Sequence, residues 1–530
     1  MTIAGKVILE SRFAGVRCVF WATVFAWAAS SIIAVSFEML AAVRATVFST
    51  LLLSLYGLSK LEPQRHRVPL RMTWAATALL AIWYILYCLF GDVDVDAILF
   101  HLNYDVGSAD VQRETLKSAL FAALPFVWLV ISWNSLARMS RGLATVNRLL
   151  PIGLLAVNPL IWIGVQETLA SSPVSAVNLQ SEYVVPAVDA PKHGKAKNLI
   201  HIFVESAELT LWDDERFGNV AQPLKRLSEG AWTASNIAQV ELTGWTLAGQ
   251  VASTCGIPLF SLGVINKNSF DLVEEILPEA RCLGDFLQDR GYFNVFLKGA
   301  SLDFAGTRSF ATAHGYEHLL GYHELKHRFP DRFNYWGLHD EDTLQIAYEQ
   351  VSQLGKEGRP YSLTLTTVGG HAPTGLVSPL CQAIPFVSNQ PNDTLRGMAC
   401  TNLLLERFIE RLRREHLLES TVVVIQSDHL AMRNEVYGQL QASERRNMFI
   451  VLGDGRLPDN AKPASAVDIF PTILTALGFE ITDGRAGLGR ALQNEGETLV
   501  QRLGIEGFNR AIDEADGLRD QLWSIVRNAS

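Results

Sequence analysis

The stretch VVVIQSDHLAM, residues 422–432, runs from four β-branched residues through Gln426 and Ser427 into Asp428 and His429. An unbroken β-branched run suits a strand buried on both faces. A carboxylate and an imidazole at the end of such a strand need partners, because burying either alone is costly.

Four further runs have the same character: LIHIFV (199–204), YFNVFL (292–297), YSLTLTT (361–367) and MFIVL (448–452). Helical patterns lie between and after them, in DEDTLQIAYEQVSQL (340–354), NLLLERFIERLRREH (402–416) and AVDIFPTILTALG (466–478). In the last, Val467, Phe470, Ile473 and Leu474 recur at helical spacing. Alternating strands and helices predict an α/β domain with a mostly parallel sheet covered on both faces. Folds of this kind bind ligands beyond the carboxyl ends of their strands. Polar groups follow four of these runs: Glu205, Lys298-Gly299-Ala300, His371 after Val368-Gly369-Gly370, and the Asp428-His429 pair.

Glu205, Asp428 and His429 offer two carboxylates and an imidazole, a donor set for Mn²⁺, Zn²⁺ or Mg²⁺. Without a thiolate the set does not suit a structural zinc site. The plainer alternative makes Asp428 a turn cap and His429 a surface histidine. ELTGWTLAGQVAST (241–254) adds the hydroxyls of Thr243 and Thr246 just before a helix-like run. A helix N-terminus suits an anion, and a threonine there, deprotonated beside a cation, can attack phosphorus. The alternative for Thr246 is a simple helix cap.

The first third of the chain reads differently. Of 530 residues 49% are hydrophobic, and residues 1–168 hold a disproportionate share. Five long, nearly uncharged stretches cover roughly Cys18–Ser36, Ala41–Ser59, Met72–Phe90, Ser118–Leu136 and Leu149–Val165. Most come close to the ~20 residues of a spanning helix. Arg44 sits near one end of the second, where it can snorkel. The first run has no small-residue cleavage site before the second begins, so it is not read as a cleaved signal. Basic residues cluster before the first run (Lys6, Arg12, Arg17), after the second (Lys60, Arg65, Arg67, Arg71) and after the fourth (Arg138, Arg141, Arg148). The loop after the third carries Asp92, Asp94, Asp96, Asp105 and Asp110. By the positive-inside rule this alternation predicts five spans with the N-terminus in the cytoplasm and everything after about residue 170 outside it. The predicted organisation is a transmembrane domain at 1–168, a Ser/Pro/Ala/Gly-rich linker at 169–197, a catalytic domain at 198–495 and a helical tail at 496–530. The net charge of −9 leaves no nucleic-acid footprint.

Cys18 and Cys88 lie inside apolar runs, whereas Cys255, Cys282, Cys381 and Cys400 fall on the outer side. Four cysteines allow three pairings. Sequence neighbours suggest Cys255–Cys282 and Cys381–Cys400, with four free thiols as the alternative.

Taken together, IFVESAELT, TGWTLAGQVASTCGIPLF, CLGDFLQDRGY, FAGTRSFATAHGYEHLLG, WGLHDEDTL, SLTLTTVGGHAP, VVVIQSDHLAM and GLGRAL resemble, in this order, the membrane-bound phosphoglycerol transferases of the alkaline phosphatase/sulfatase superfamily. The likeness is to the periplasmic-glucan transferase I type and, more distantly, to lipoteichoic acid synthases. It runs from about Asn198 to Leu492, with a weaker echo at GDVDVDAILFHL (91–102). The resemblance implies one divalent metal, commonly Mn²⁺, held by Glu205, Thr246, Asp428 and His429. It implies Thr246 rather than Thr243 as the nucleophile, and His371 as a contact to the phosphate or glycerol. The Trp-x-Arg motif of the lipoteichoic acid synthase pocket is missing; LDFAGTRSF (302–310) offers Phe304 and Arg308 instead. Arg308 is the expected substrate-binding arginine, with a solvated surface role as its alternative. Trp336 is expected to pack at a helix start. The four outer cysteines also match the glucan-type enzymes. Enteric members of that type carry an additional C-terminal region.

The resemblance therefore implies transfer of phosphoglycerol from phosphatidylglycerol to a periplasmic glycan, through a glycerophospho-threonine, at a bacterial inner membrane. The competing expectations are a phosphoethanolamine transferase acting on lipid A or lipopolysaccharide core, and a non-catalytic membrane scaffold with the same fold. A sulfatase activity is disfavoured, because formylglycine maturation needs Cys or Ser where Thr246 stands.

Overall fold

The computed structural model describes residues 177–189, 197–260, 270, 273–453 and 461–524. The five expected spans, with Cys18 and Cys88, lie outside the described residues, as does most of the expected linker. Among the described residues no helix is long and apolar enough to cross a membrane.

Seven strands form the central sheet: β1 (Asn198–Val204), β2 (Trp232–Thr233), β3 (Phe293–Lys298), β4 (His318–Leu320), β5 (Tyr361–Thr366), β6 (Thr421–Ser427) and β7 (Phe449–Leu452). Their order is β2-β7-β6-β1-β5-β3-β4. The run β6-β1-β5-β3-β4 is parallel, and β7 lies antiparallel to both β6 and β2. The sheet is thus mixed but mostly parallel. Register decides what comes together. Ser427 pairs with Val204, and Thr366 pairs with both Phe203 and Lys298. The residues that follow these strands therefore emerge along one edge.

The side-chain period of two splits the sheet faces. Ile200, Ile202, Val204, Leu363, Leu365, Val423 and Ile425 share one apolar core with Leu344, Ile346, Val351, Leu395, Met398, Leu405 and Ile409. These come from helices α2 (Asp340–Glu357) and α3 (Asp393–Arg414), once α1 (Thr246–Cys255) is counted first in chain order. The opposite face is threaded with buried polar groups. Gln250 Nε2 donates to Thr366 Oγ1 at 2.8 Å, and Gln426 Nε2 donates to Ser253 Oγ at 2.7 Å. The Oε1 of Gln426 takes a 3.0 Å hydrogen bond from His201 Nε2. Buried side-chain hydrogen bonds fix a helix more narrowly than apolar contact does. Here they set where α1 lies on the sheet. Helix α4 (Ile469–Ala476) is buried alongside.

The part of the expected linker that is described belongs to this domain. Leu179 is buried, Val188–Asp189 pairs antiparallel with Glu480–Ile481, and Glu182 receives ion pairs from Arg485 and Arg502. The C-terminal helices Leu499–Asp513 and Asp516–Leu522 are likewise built in, with Phe508, Leu518 and Leu522 fully buried. Both disulfides, Cys255–Cys282 and Cys381–Cys400, are formed.

Candidate active site

Strand β1 ends at Val204, and Glu205 follows, buried, with its backbone N–H donating to Thr367 Oγ1 at 3.0 Å. Ser206 then turns with φ +58°, a left-handed conformation costly for serine. That turn lets Ser206 Oγ donate to Glu205 Oε1 at 2.8 Å while Ser206 N donates to Asp428 Oδ1 at 2.9 Å. Asp428 Oδ1 also accepts the His429 backbone N–H at 2.8 Å. The other oxygen, Oδ2, is buried and has no hydrogen-bond partner among the described residues.

The His429 ring is held by Nδ1, 2.8 Å from the carbonyl oxygen of Leu430. A carbonyl only accepts, so Nδ1 carries a proton, and in the neutral ring Nε2 keeps its lone pair. Nε2 lies 3.4 Å from Glu205 Oε1 and 3.4 Å from Asp428 Oδ2. This is the tautomer and orientation of a metal-ligating histidine whose other nitrogen is anchored. Ligand atoms of Glu205, Asp428 and His429 all fall within 4.8 Å of one another.

Two buried carboxylates this close cannot both carry charge comfortably. Burial, then the charge of Glu205, raises the Asp428 carboxyl well above its usual range. Burial works against the charge on Glu205 too, but His371 and His429 outweigh it and hold that carboxyl low. Burial opposes a charged His429 ring, and Asp428 and Glu205 override it, pushing the ring up to about 10. A divalent cation would answer the same imbalance. The orphaned Oδ2, an Nε2 whose proton a cation would displace and the oxygen-rich donor set all fit one.

Thr246 opens the ten-residue α1 and lies beside this cluster, its Oγ1 3.4 Å from Glu205 Oε2. Thr243 is turned away; its hydroxyl donates to Val240 O at 2.7 Å. Of the two threonines, the fold brings Thr246 to the carboxylates.

His371 stands on the loop after β5. Asp340, the first residue of α2, accepts Val368 N at 2.8 Å and Gly369 N at 3.0 Å, and Thr401 Oγ1 donates to it as well. This buried carboxylate therefore shapes the loop that presents His371. The His371 Nδ1 is 2.7 Å from Ala372 O, so it too leaves Nε2 unprotonated in the neutral ring.

Arg308 is not free for an anion. Its Nε donates to Asp303 Oδ1 at 2.6 Å and its Nη2 to Glu324 Oε1 at 2.7 Å. Lys298 at the end of β3 is a buried cation close enough to feel Glu205 and Asp428, its Nζ 3.3 Å from Thr307 Oγ1. Burial lowers its ammonium to about 8 against the pull of Glu205 and Asp428. Its strand-end position is legible in sequence; its direction is not. Trp336 does not pack at a helix start. It lies on a hairpin formed by Phe333–Asn334 and Gly337–Leu338, with its ring centroid 4.1 Å from that of His371.

Residues 197–479 match the Sulfatase family. Among curated proteins, phosphoglycerol transferase I of Xanthomonas euvesicatoria pv. vesicatoria (strain 85-10) is 32% identical over 443 residues, 80% of this chain and 62% of that one. Phosphoglycerol transferase I of Citrobacter koseri is 31% identical over 441 residues, 79% of this chain and 57% of that one. The chain thus spans about three-fifths of the length of such relatives. Among solved structures, the lipoteichoic acid synthase LtaP from Listeria monocytogenes aligns with TM-score 0.49 at 14% identity, covering 66% of this chain and 98% of that one. An alkaline phosphatase superfamily protein from Vibrio parahaemolyticus aligns with TM-score 0.47 at 18% identity, covering 59% and 73%.

Proposed function

As this chain belongs to the sulfatase family, we propose that it is a phosphoglycerol transferase that moves the head group of phosphatidylglycerol onto a periplasmic glycan. The observation that carries this reading is the hydroxyl of Thr246 at a helix N-terminus, 3.4 Å from Glu205 and beside Asp428 and His429. The names of the relatives support phosphoglycerol as the group transferred.

Thr246 Oγ1 attacks phosphorus, and the phosphorus–oxygen bond to diacylglycerol breaks. A glycerophospho-threonine remains. The hydroxyl of the acceptor then attacks the same phosphorus and displaces Thr246. Glu205, Asp428 and His429, with Thr246, would hold one divalent cation, Mn²⁺ by the family resemblance. When bound, that cation would lower the pKa of the threonine hydroxyl and offset charge on the phosphoryl oxygens. The unpaired N–H groups of the first turn of α1 favour the same anionic oxygens. His371, entering the first step with both ring nitrogens protonated, delivers the Nε2 proton to the departing diacylglycerol oxygen and takes one back from the acceptor in the second step. The proton count closes when Thr246 enters and leaves deprotonated.

A lipid donor explains why a membrane segment accompanies this chemistry, since the scissile bond lies at the bilayer surface. The reading places the N-terminus in the cytoplasm and residues after about 170 in the periplasm, at the inner membrane.

The test is turnover of phosphatidylglycerol vesicles by the full chain, with intact-mass analysis of the protein. The expected result is a glycerophosphate adduct on Thr246, lost together with turnover in Thr246→Ala. A phosphoethanolamine adduct would favour the amine-transferring alternative. Undiminished turnover in Thr246→Ala would remove the nucleophile, and no turnover by any lipid would leave a scaffold.

A further inference from the structure

Glu208 follows the turn at Ser206, and it forms an ion pair with Arg445 on the segment that leads into β7. Arg445 Nε donates to Glu208 Oε2 at 2.9 Å, and Nη2 lies 2.7 Å from the same oxygen. The Glu208 side chain is fully buried and that of Arg445 nearly so. The guanidinium also reaches a second acceptor, because Nη2 donates to Ala431 O at 2.6 Å. In turn the Glu208 carboxylate is hydrogen-bonded by the Ala431 backbone N–H. Both polar groups of the Ala431 main chain are thus tied to one ion pair. Backbone on either side is fixed as well: Leu209 N donates to Arg446 O at 2.8 Å, and Leu430 N to Gln239 Oε1 at 2.8 Å.

The Ala431 N–H and the Leu430 carbonyl belong to one planar trans peptide unit, in which they point in opposite directions. Holding the N–H on Glu208 therefore sets the direction of the Leu430 carbonyl. That carbonyl is the acceptor for His429 Nδ1 at 2.8 Å. A line of fixed groups runs from Arg445 through Glu208 and this peptide to the imidazole. It ends at Nε2, 3.4 Å from both Glu205 Oε1 and Asp428 Oδ2. Glu208 itself is not one of the clustered ligand groups. Its carboxylate is taken up by Arg445 and Ala431 instead.

We propose that Glu208 and Arg445 are positioning residues for the cation site. They orient the Leu430–Ala431 peptide, and through it aim His429 Nε2 at the space shared with Glu205 and Asp428. A buried ion pair by itself adds little net stability, because desolvation offsets the attraction. Its effect here falls on the two main-chain groups that it locks. With the pair broken, the carbonyl is free to swing and the ring must be ordered when the cation arrives, which weakens binding. Lysine does not replace Arg445, because a single ammonium lacks the fork that spans Glu208 and Ala431 O. The inference rests on the cation site of the phosphoglycerol-transfer reading and adds the residues that orient it.

The test is Mn²⁺ binding by the full chain, stripped of metal and titrated with Mn²⁺ alone, with free Mn²⁺ read by electron paramagnetic resonance. Melting in chelator is measured alongside, so that a loss of folding stability is seen separately. Arg445→Lys is the decisive variant. Arg226→Lys is its control, since Arg226 makes a comparable fork onto Glu406, at 2.6 and 2.8 Å. Arg445→Lys is expected to bind Mn²⁺ about tenfold more weakly than the parent, and Arg226→Lys to bind it as the parent does. An unchanged dissociation constant in Arg445→Lys, or an equal rise in Arg226→Lys, overturns the positioning role and leaves the transfer reading intact. If Arg445→Lys does not fold, Glu208→Gln is read in the same way. Failure of both to fold makes the pair purely structural and overturns the role as well. A parent protein that binds no Mn²⁺ overturns the cation site of the transfer reading, and this inference with it.

Discussion

Gly249 lies so close to Asp428 that a Cβ on it would sit 1.7 Å from the Asp428 carbonyl oxygen. Gly249 is three residues beyond Thr246 on α1, and Asp428 follows β6, so this contact sets the distance between threonine and carboxylate. Gly249→Ala is expected to push α1 off the strand ends. The overpacking should cost about 1–3 kcal/mol, seen as a lower melting temperature, and turnover should fall further than stability alone explains. An alanine variant with full turnover would show that the helix need not approach so closely.

Cation binding should register in stability as well as activity. Added Mn²⁺ is expected to raise the melting temperature of the parent protein, by mass action about 2.7 kcal/mol at a hundredfold excess over the dissociation constant. Asp428→Asn should abolish that rise. Because it also removes one of two crowded carboxylates, it should melt no lower than the parent in chelator. A variant that kept the Mn²⁺ response would remove Asp428 from the ligand set.

Asp340 touches no reacting group yet holds the loop that presents His371. Asp340→Ala leaves the N–H groups of Val368 and Gly369 unsatisfied, at a cost of about 1–3 kcal/mol. The expected phenotype is a large loss of kcat with the Mn²⁺ thermal shift retained. Loss of the Mn²⁺ response would mean that Asp340 acts on the cation site instead.

His201 predicts an acid-sensitive core. The ring is fully buried beneath α1, and burial depresses it to about 4, against the hydrogen bond it donates to Gln426, which favours the charge. The unfolded chain therefore takes up this proton first as pH falls below about 6.5. Stability should decline between about 6.5 and 4 and flatten below, losing roughly 3 kcal/mol from this residue. His201→Leu should flatten that part of the stability profile; an unaltered slope would place the acid sensitivity elsewhere.

Much of the fold was legible because it depends on short-range patterning. The strands at 198–204, 361–366 and 421–427 and the helices at 340–357, 393–414 and 469–476 overlap the apolar runs and helical spacing of the sequence. A strand's end is also where its polar group must emerge, so Glu205, Lys298, His371 and Asp428-His429 could be named as candidates without knowing the strand order.

What the linear pattern could not decide was direction and partnership. Whether Thr243 or Thr246 reaches Glu205 depends on a turn that ties up the Thr243 hydroxyl. Arg308 sits in a motif expected to bind substrate, yet Asp303 and Glu324 hold its guanidinium. Trp336 looks like helix-start packing in sequence, and only the docking of its hairpin onto Gly299 turns it toward His371. Residues 177–189 lack any marked periodicity, and they join the domain through pairing with a strand nearly three hundred residues later. Hydrophobic period and strand-end chemistry are properties of neighbouring residues, so the sequence alone determined them. Which side chains share one space depends on register and on backbone approach between distant segments, and those contacts exist only once the chain has packed.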